Sequence, residues 1–563
     1  MEVPRLVHDE LLHKLDDAQE EQLHHELDQL EHGARLVDDV DVSKGTESES
    51  TPLLMAGKHR VLVDDAASLD LKALAMRLND EERRAMLADA KANAMDIIRD
   101  ETKQLLALAV PIIIVALLEV LPETLVSMMI GRSDAEHSTQ ILAAFSLCGL
   151  FQMLLSAALM NGLGSALDTL CSQAYGGKRL PELWLFMQAG FLMYLCCVPF
   201  VITALLNGGV ILRALGQDPE IAAIASKLLI MNVLALPFTI IFSVLKSALQ
   251  AQNIIKPFVM TSIISWTISL PLAYALGFWA KLGYMGIAFS IVVNGAVKAL
   301  LLIPVILRNR EFLDTWPGWQ FHQALQLMPK ISKLGVSSVL MLTFQMLGFS
   351  IISLLAGLLP NAAVMISANS IFASVLVLSF MPLLGISVAG AIRIGNALGA
   401  GQARRASLVS RIVMISSVSV ATAGMFGVTL IAAPFAHSFT TDTEAIKVAM
   451  QLLHSLLLII PLLGFMFGIQ SVFRACGKQL LCAKLNFVFL FVIGVPLGIM
   501  FALKLNAGIL GLWYGNLVGT VGFMIAGGSW LYSLSWDTMA HEARLNTHLH
   551  VEEKATERPG SAA

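Results

Sequence analysis

The sequence predicts an all-α polytopic membrane protein of twelve transmembrane helices, built as two parallel-repeat six-helix bundles. Three observations carry that prediction. Hydrophobic residues make up 56% of the 563 and charged residues only 14%, where a soluble domain averages about 25% charged. Twelve apolar runs reach the roughly 20 residues that a helix needs to cross the hydrocarbon. Landmarks of the first half recur in the second about 224 positions on: residues 166–177 (Ala-Leu-Asp-Thr-Leu-Cys-Ser-Gln-Ala-Tyr-Gly-Gly) answer residues 390–401 (Gly-Ala-Ile-Arg-Ile-Gly-Asn-Ala-Leu-Gly-Ala-Gly).

Along the chain, the first hundred residues hold 24 acidic and 12 basic side chains, leaving 18 and 26 for the other 463. An acidic tail, residues 1–100, thus precedes a basic membrane body, and no apolar signal segment opens the chain. Leu11, Leu12, Leu15, Leu23, Leu27 and Leu30 recur at helical spacing and predict an amphipathic helix or short coiled coil. Residues 41–60 read as disordered. Within them Glu49-Ser-Thr-Pro-Leu53-Leu54 fits an acidic dileucine sorting pattern, which chance also explains. Residues 67–99 predict a second amphipathic helix leading into the first span.

Spans begin near Leu105, Gln140, Leu183, Ile221, Phe258, Gly283, Leu334, Ala363, Leu408, Val448, Leu485 and Ile509. Residues 101–310 make an N-terminal lobe and 333–535 a C-terminal lobe. Between them, 311–332 carry Trp316, Trp319, Phe321 and Leu325 and predict an interfacial segment. Residues 536–563 form a polar tail. With the acidic tail in the cytoplasm, the even-numbered connections hold fifteen lysines and arginines, and the outer ones only Arg132, Arg213, Lys281, Lys447 and Lys504. That bias predicts both termini on the cytoplasmic side.

The repeat runs deeper than the two loops. Asp218-Pro-Glu220 matches Asp442-Thr-Glu444, Pro237 matches Pro461, Pro271 matches Pro496, and Gly286 matches Gly511. Six spans is an even number, so both halves insert the same way up. Parallel halves about an axis along the membrane normal are a transporter architecture, with substrate held between them near the midplane. The six cysteines (Cys148, Cys171, Cys196, Cys197, Cys476, Cys482) lie in apolar runs or at their ends without metal-ligand spacing, and predict buried free thiols. The chain lacks the Gly-x-x-x-x-Gly-Lys-Ser/Thr loop, which argues against direct ATP drive.

The loops resemble those of the multidrug and toxic compound extrusion (MATE) family, in its eukaryotic branch. Asp168 to Gly176 match the Glu/Asp-Thr-Leu-Cys-x-Gln-Ala-Tyr-Gly stretch after span two. Arg393 to Gly401 match Arg-Val-Gly-Asn-x-Leu-Gly-Ala-Gly after span eight with one conservative change, and Leu249 to Gln252 supply the Leu-Gln-Ala-Gln after span four. The resemblance covers about Lys103 to Leu534. It implies two six-helix bundles facing a central cavity, and secondary antiport of organic cations against protons or sodium. The chain also departs from the pattern. Where eukaryotic members carry glutamate in span seven, this chain has Thr343-Phe344-Gln345-Met346-Leu347. The glutamates of spans eight and ten fall near Met365 and Leu463, so the second half has no intramembrane carboxylate. The span-one aspartate of bacterial members aligns near Val126.

Glu119, Glu123 and Asp168 are the acids embedded in, or close against, apolar runs. Glu119 lies near the middle of span one, and Glu123, four residues on, shares its face. Pro122 between them predicts a kink or opening. A charged carboxylate at the bilayer centre costs about 2.5–3.5 kcal/mol on insertion scales, so intramembrane acids are candidates for function. Held there, one can carry a proton or an organic cation but not both, and that competition is antiport. A neutral, hydrogen-bonded Glu119 and an outward-facing, hydrated Glu123 are the structural alternatives. Asp168 reads as a cap or a partner of Lys178 or Arg179. Arg393 and Arg474, at equivalent ends in the second half, read as anchoring and inter-lobe closure, and Gln345 as a neutral cavity group. Lys227 and Lys298, inside runs, are expected to snorkel to an interface.

The reading is a secondary antiporter exporting organic, cationic small molecules or xenobiotics in exchange for protons (sodium being the other choice) by alternating access. It is not an enzyme, and it needs no cofactor. Its partners are a small-molecule substrate and the lipid bilayer, not nucleic acid, and it works as a monomer in the plasma or a vacuolar or endosomal membrane. The rivals are an organic-anion or metabolite exporter, which Lys227 or Lys298 facing the cavity would favour, an uncoupled facilitator, a lipid flippase, and a scaffold or sensor acting through the tail.

Overall fold

The computed structural model describes residue 89 and residues 91–547, apart from 134–136, 153–157, 215, 440–442 and 458. The expected leucine-patterned helix, the dileucine pattern and the segment 41–60 lie outside those residues. The chain divides into two units, Met1–Lys91 and Ala92–Ala563, and the second holds both lobes.

Every regular element among the second unit's described residues is helical. Helix α1 (Ala94–Gly131) starts where Asn93 Oδ1 accepts from Met95 N–H at 3.2 Å. Residues 92–93 are non-helical. Of the amphipathic helix expected over 67–99, residues 67–88 and 90 lie outside the described residues, and residues 94–99 belong to α1, which begins after the Asn93 cap. Helix α1 is unbroken through Pro111 and Pro122, so of the kink or opening expected at Pro122 the opening is absent. A buried span can lose one backbone bond to proline while its neighbours hold the rest.

The N-terminal lobe continues with α2 (Ser138–Gln152), α3 (Ala158–Gly176), α4 (Leu180–Leu206), α5 (Gly208–Ala214), α6 (Pro219–Ala251), α7 (Lys256–Tyr274) with a π-helical end (Ala275–Trp279), and α8 (Gly283–Arg308). A short α9 (Arg310–Leu313) leads to the C-terminal lobe: α10 (Phe321–Ala356), α11 (Ala362–Gly399), α12 (Ala403–Phe439), α13 (Thr443–Ser455), α14 (Ile459–Ala475), α15 (Gln479–Asn486), a π-helical stretch (Phe487–Gly494), α16 (Val495–Leu503) and α17 (Gly508–Tyr532). Among the described residues ten helices are long and apolar enough to cross a membrane, and eleven if the bent pair α13–α14 counts as one span. The expected second span falls on α2 and α3, on either side of residues 153–157.

The repeat is legible in packing. A Cβ on Gly286 would lie 2.8 Å from the Leu276 backbone, and one on its counterpart Gly511 would lie 2.5 Å from Ala502 N. Both glycines let the last two helices of a lobe touch backbone to backbone. The halves diverge at their matched prolines. Pro237 sits inside the unbroken α6, whereas beside Pro461 the chain bends by 57° between α13 and α14. Proline lacks the N–H and its ring collides with the carbonyl four residues back, so it favours a break where neighbours do not hold the helix.

The interlobe segment is pinned by aromatics. Trp184 stacks on Phe312 with centroids 4.0 Å apart, Trp316 meets Trp184 edge-on at 4.6 Å, and Trp319 stacks on Phe321 at 5.4 Å. Buried Gln188 both donates to Gly318 O and accepts from Gln320 N–H, each at 2.8 Å. The expected polar C-terminal tail instead forms α18 (Trp536–Thr547), with Met539, Ala540, Ala543, Arg544 and Thr547 buried. Those positions fall four apart on one face, a pattern masked in the sequence by small and polar residue types. Of the cysteines, Cys196 is exposed and Cys197 half-buried, and only the other four are buried. An apolar run that faces lipid leaves its thiol uncovered by protein.

Candidate functional site

Two places bring charged groups together at or near the seam of the lobes. We call the end where α1 begins and α18 lies the basic end.

The deeper place is in the N-terminal lobe. Glu119, on α1, lies about 18 residues or ~27 Å of helix above Glu101. Its Oε2 receives Lys298 Nζ, from α8, at 2.5 Å, and its Oε1 accepts from Ser262 Oγ, on α7, at 3.2 Å. The side chain of Glu119 is 38% exposed and that of Lys298 9%. The ammonium also stands 5.3 Å from the Trp266 ring centroid, within cation–π range. Close by, Asn294 donates to Ser265 at 3.3 Å. Lys298 therefore does not snorkel. A carboxylate within reach of its stem offers a better partner than a distant interface, because two opposite charges held in low dielectric attract strongly. Lys227 is exposed. Glu123 sits one turn along α1, and its side chain is outside the described residues.

The second place is the seam at the basic end. Arg393, on α11, grips Glu101 with Nε at 3.0 Å and Nη2 at 2.7 Å, a two-pronged pair. Arg405, on α12, adds its Nε at 2.6 Å and reaches Asp100 at 3.1 Å. Beside them the two loop motifs cross. A Cβ on Gly176 would lie 1.9 Å from Asn396 O, and one on Gly399 would lie 1.9 Å from Gln173 O. Gly176 follows Gln173 by three residues, as Gly399 follows Asn396. The contact is therefore reciprocal, as a two-fold axis through this crossing requires.

Asp168 lies at the same seam, but not against the expected Lys178 or Arg179. Its neighbours are Ser247, which hydrogen-bonds it, and the charges of Lys246 and Arg474. Arg179 instead donates to Thr547 of α18. A small cavity lined by Ser165, Asp168, Thr169, Val388, Ala391 and Arg474 spans the lobes. Within it Asp168 Oδ1 and Arg474 Nε are buried without a hydrogen-bond partner among the described residues. Arg474 Nη2 donates to Ser387 Oγ at 2.7 Å, and Thr169 Oγ1 donates to Arg474 O at 2.9 Å. Gln345, on α10, is 1% exposed and its Nε2 is unpartnered among the described residues.

Comparison with known proteins bears on this arrangement. The MatE family model matches residues 111–275 and 337–500, one match in each lobe. The chain belongs to the MatE family. Its members are membrane transporters rather than enzymes. This MatE chain is 30% identical over 459 residues to multidrug and toxin extrusion protein 1 of Oryctolagus cuniculus, covering 80% of this chain and 78% of that protein. It is 31% identical over 458 residues to the protein of the same name from Xenopus tropicalis. It superposes on the crystal structure of the eukaryotic MATE transporter AtDTX14 with a TM-score of 0.74 at 25% identity, over 80% of this chain and all of that one. The multi-pass, all-helical MATE fold expected from the sequence is thereby shown.

Residue reasoning missed two members of these clusters. Lys298 is expected at an interface, and Glu101 is not among the acids read as embedded in or close against apolar runs, although it is 1% exposed. A signal for Glu101 existed: it stands one turn before the apolar run, while the facing Arg393 and Arg405 have no acid of their own nearby in sequence.

Proposed function

We propose that this chain exports organic cations from the cytoplasm in exchange for protons, by alternating access of the two lobes, with Glu119 as the exchange group. The observation that supports the reading is a carboxylate deep in the N-terminal lobe, partly open, above a basic end sealed across the lobes. With the basic end in the cytoplasm, this is the outward-facing state. A proton arriving from outside neutralises Glu119 and releases a bound cation. Opening at the cytoplasmic side then requires the Glu101–Arg393–Arg405 cluster and the Gly176–Gly399 crossing to part. A new cation meeting Glu119 there displaces the proton. Lys298 keeps the carboxylate neutralised when neither is bound, and Trp266 gives its ammonium a second resting place. Glu123, one turn further out, assists as an auxiliary acid. Asp168, Arg393 and Arg474 gate, and Gln345 serves as a neutral group of the C-terminal lobe.

The test is uptake of a fluorescent organic cation into liposomes with an acid interior. Wild type is expected to take it up, and Glu119→Gln to lose the gradient-driven part while remaining folded. Unchanged uptake by the variant would remove Glu119 from the mechanism. Lys298 favours a second reading, export of organic anions. An anionic dye transported by wild type and lost in Lys298→Met would select it.

A further inference from the structure

Resting on the exchange role of Glu119, we infer that Lys298 is a tethered substitute for the exchanged cation, so that the empty carrier can reorient and transport is only partly coupled to the proton gradient.

Strict antiport requires that a carrier holding neither proton nor substrate stay on one side. A bare carboxylate enforces this, because enclosing an unpaired ion between closed lobes is strongly unfavourable even after relaxation. Here the bare state does not arise. Lys298 Nζ reaches Glu119 Oε2 at 2.5 Å from within the same lobe, and Ser262 holds the other oxygen. Both helices that carry the pair, α1 and α8, belong to the N-terminal lobe, so the pair moves as a body and persists through a rocking motion. Replacement is also possible without loss of the lysine's surroundings, since its ammonium already lies within cation–π range of Trp266. A substrate cation or a proton can take the carboxylate while Lys298 shifts toward the ring.

The other acid inside span one, Glu123, lies on the same helix one turn further out and only assists. The remaining charged groups on the helices packed against the pair stand toward helix ends. Lys246, Lys256, Arg393 and Arg405 lie toward the basic end, while Glu220 and Lys227 lie toward the other. The C-terminal lobe has no carboxylate between Leu334 and Phe439. Coupling therefore rests on Glu119, and Lys298 weakens it.

The consequence can be read without any substrate. Spin labels at Lys256 and Leu480, exposed positions near the basic end of the two lobes, would be placed in a background with Cys196 and Cys197 changed to serine. The substrate-free protein in liposomes is expected to show two inter-lobe distances in wild type, and one in Lys298→Met. The double variant Glu119→Gln with Lys298→Met has lost both charges of the pair and is expected to regain both distances. A single distance in wild type, identical distributions in wild type and Lys298→Met, or a double variant still locked in one state would overturn the proposal. A transport arm separates this from failure of the exchange reading. Lys298→Met is expected to raise gradient-driven accumulation of the fluorescent cation and to abolish its equilibration without a gradient. If Glu119→Gln leaves transport unchanged, the exchange reading fails, whatever the distances show.

Discussion

Glu119 and Lys298 are 179 positions apart in the sequence, yet they form the closest charge pair in the N-terminal lobe among the described residues. Single-residue reasoning placed the acid correctly at depth, because an acid inside an apolar run is conspicuous. It misplaced the lysine, because a lysine fifteen residues into a span can reach either an interface or a partner, and only the fold decides. Glu101 makes the same point from the other side. Its helix face is set by α11 and α12, far along the chain. Removing one partner of a buried ion cluster leaves the others uncompensated, at about 3–5 kcal/mol. Glu101→Ala is therefore expected to weaken closure of the basic end, and cysteines placed there should react faster with a membrane-impermeant maleimide than in wild type. Equal labelling rates would contradict the gating role.

At the scale of elements, the decisive feature is the crossing of α3 and α11. Both ends were legible as matching glycine-containing loops. Their mutual contact was not, since a repeat says that two segments are alike and not that they touch. A methyl group on Gly399 has no room beside Gln173 O at 1.9 Å, and overpacking of this kind typically costs about 1–3 kcal/mol. Gly399→Ala is expected to push the lobes apart at the basic end and lower transport without removing the protein from the membrane, as a surface-expression assay beside an uptake assay would show. Helix α18 is a second such element. Thr547 accepts from Arg179, Lys330 donates to Asn546 O at 2.6 Å, and Lys478 pairs with Glu542 at 2.8 Å. The helix thus ties loops of both lobes. Hydrogen bonds to charged groups contribute about 1.5–3 kcal/mol, so Thr547→Val is expected to loosen the same end more mildly than Glu101→Ala. Little in its residues warned of this, because about three turns of mostly small and polar residues look alike whether docked or free.

At the scale of the molecule, the all-helical membrane fold, the duplication and the family were readable, since membrane insertion enforces long apolar runs and positive charge at one end; of the twelve spans expected, ten or eleven are found among the described residues. What lay beyond reading was the state of the machine: the seam at the basic end is shut by one ion cluster, one glycine crossing and one docked helix. With no carboxylate between Leu334 and Phe439, the proposed mechanism concentrates exchange in the N-terminal lobe, and the proposed role of Lys298 makes that exchange permissive. The expected phenotype is a transporter that runs substrates down their own gradient and against it only weakly.

The measurement closest to the central claim is proton release on binding. Purified protein in weakly buffered detergent solution would be titrated with an organic cation while a pH-indicator dye is followed, across a pH series. Wild type should release protons as the cation binds, and Glu119→Gln should release none while still folded. Proton release that survives in Glu119→Gln, or binding by wild type without release at any pH, would contradict the assignment of Glu119 as the exchange group.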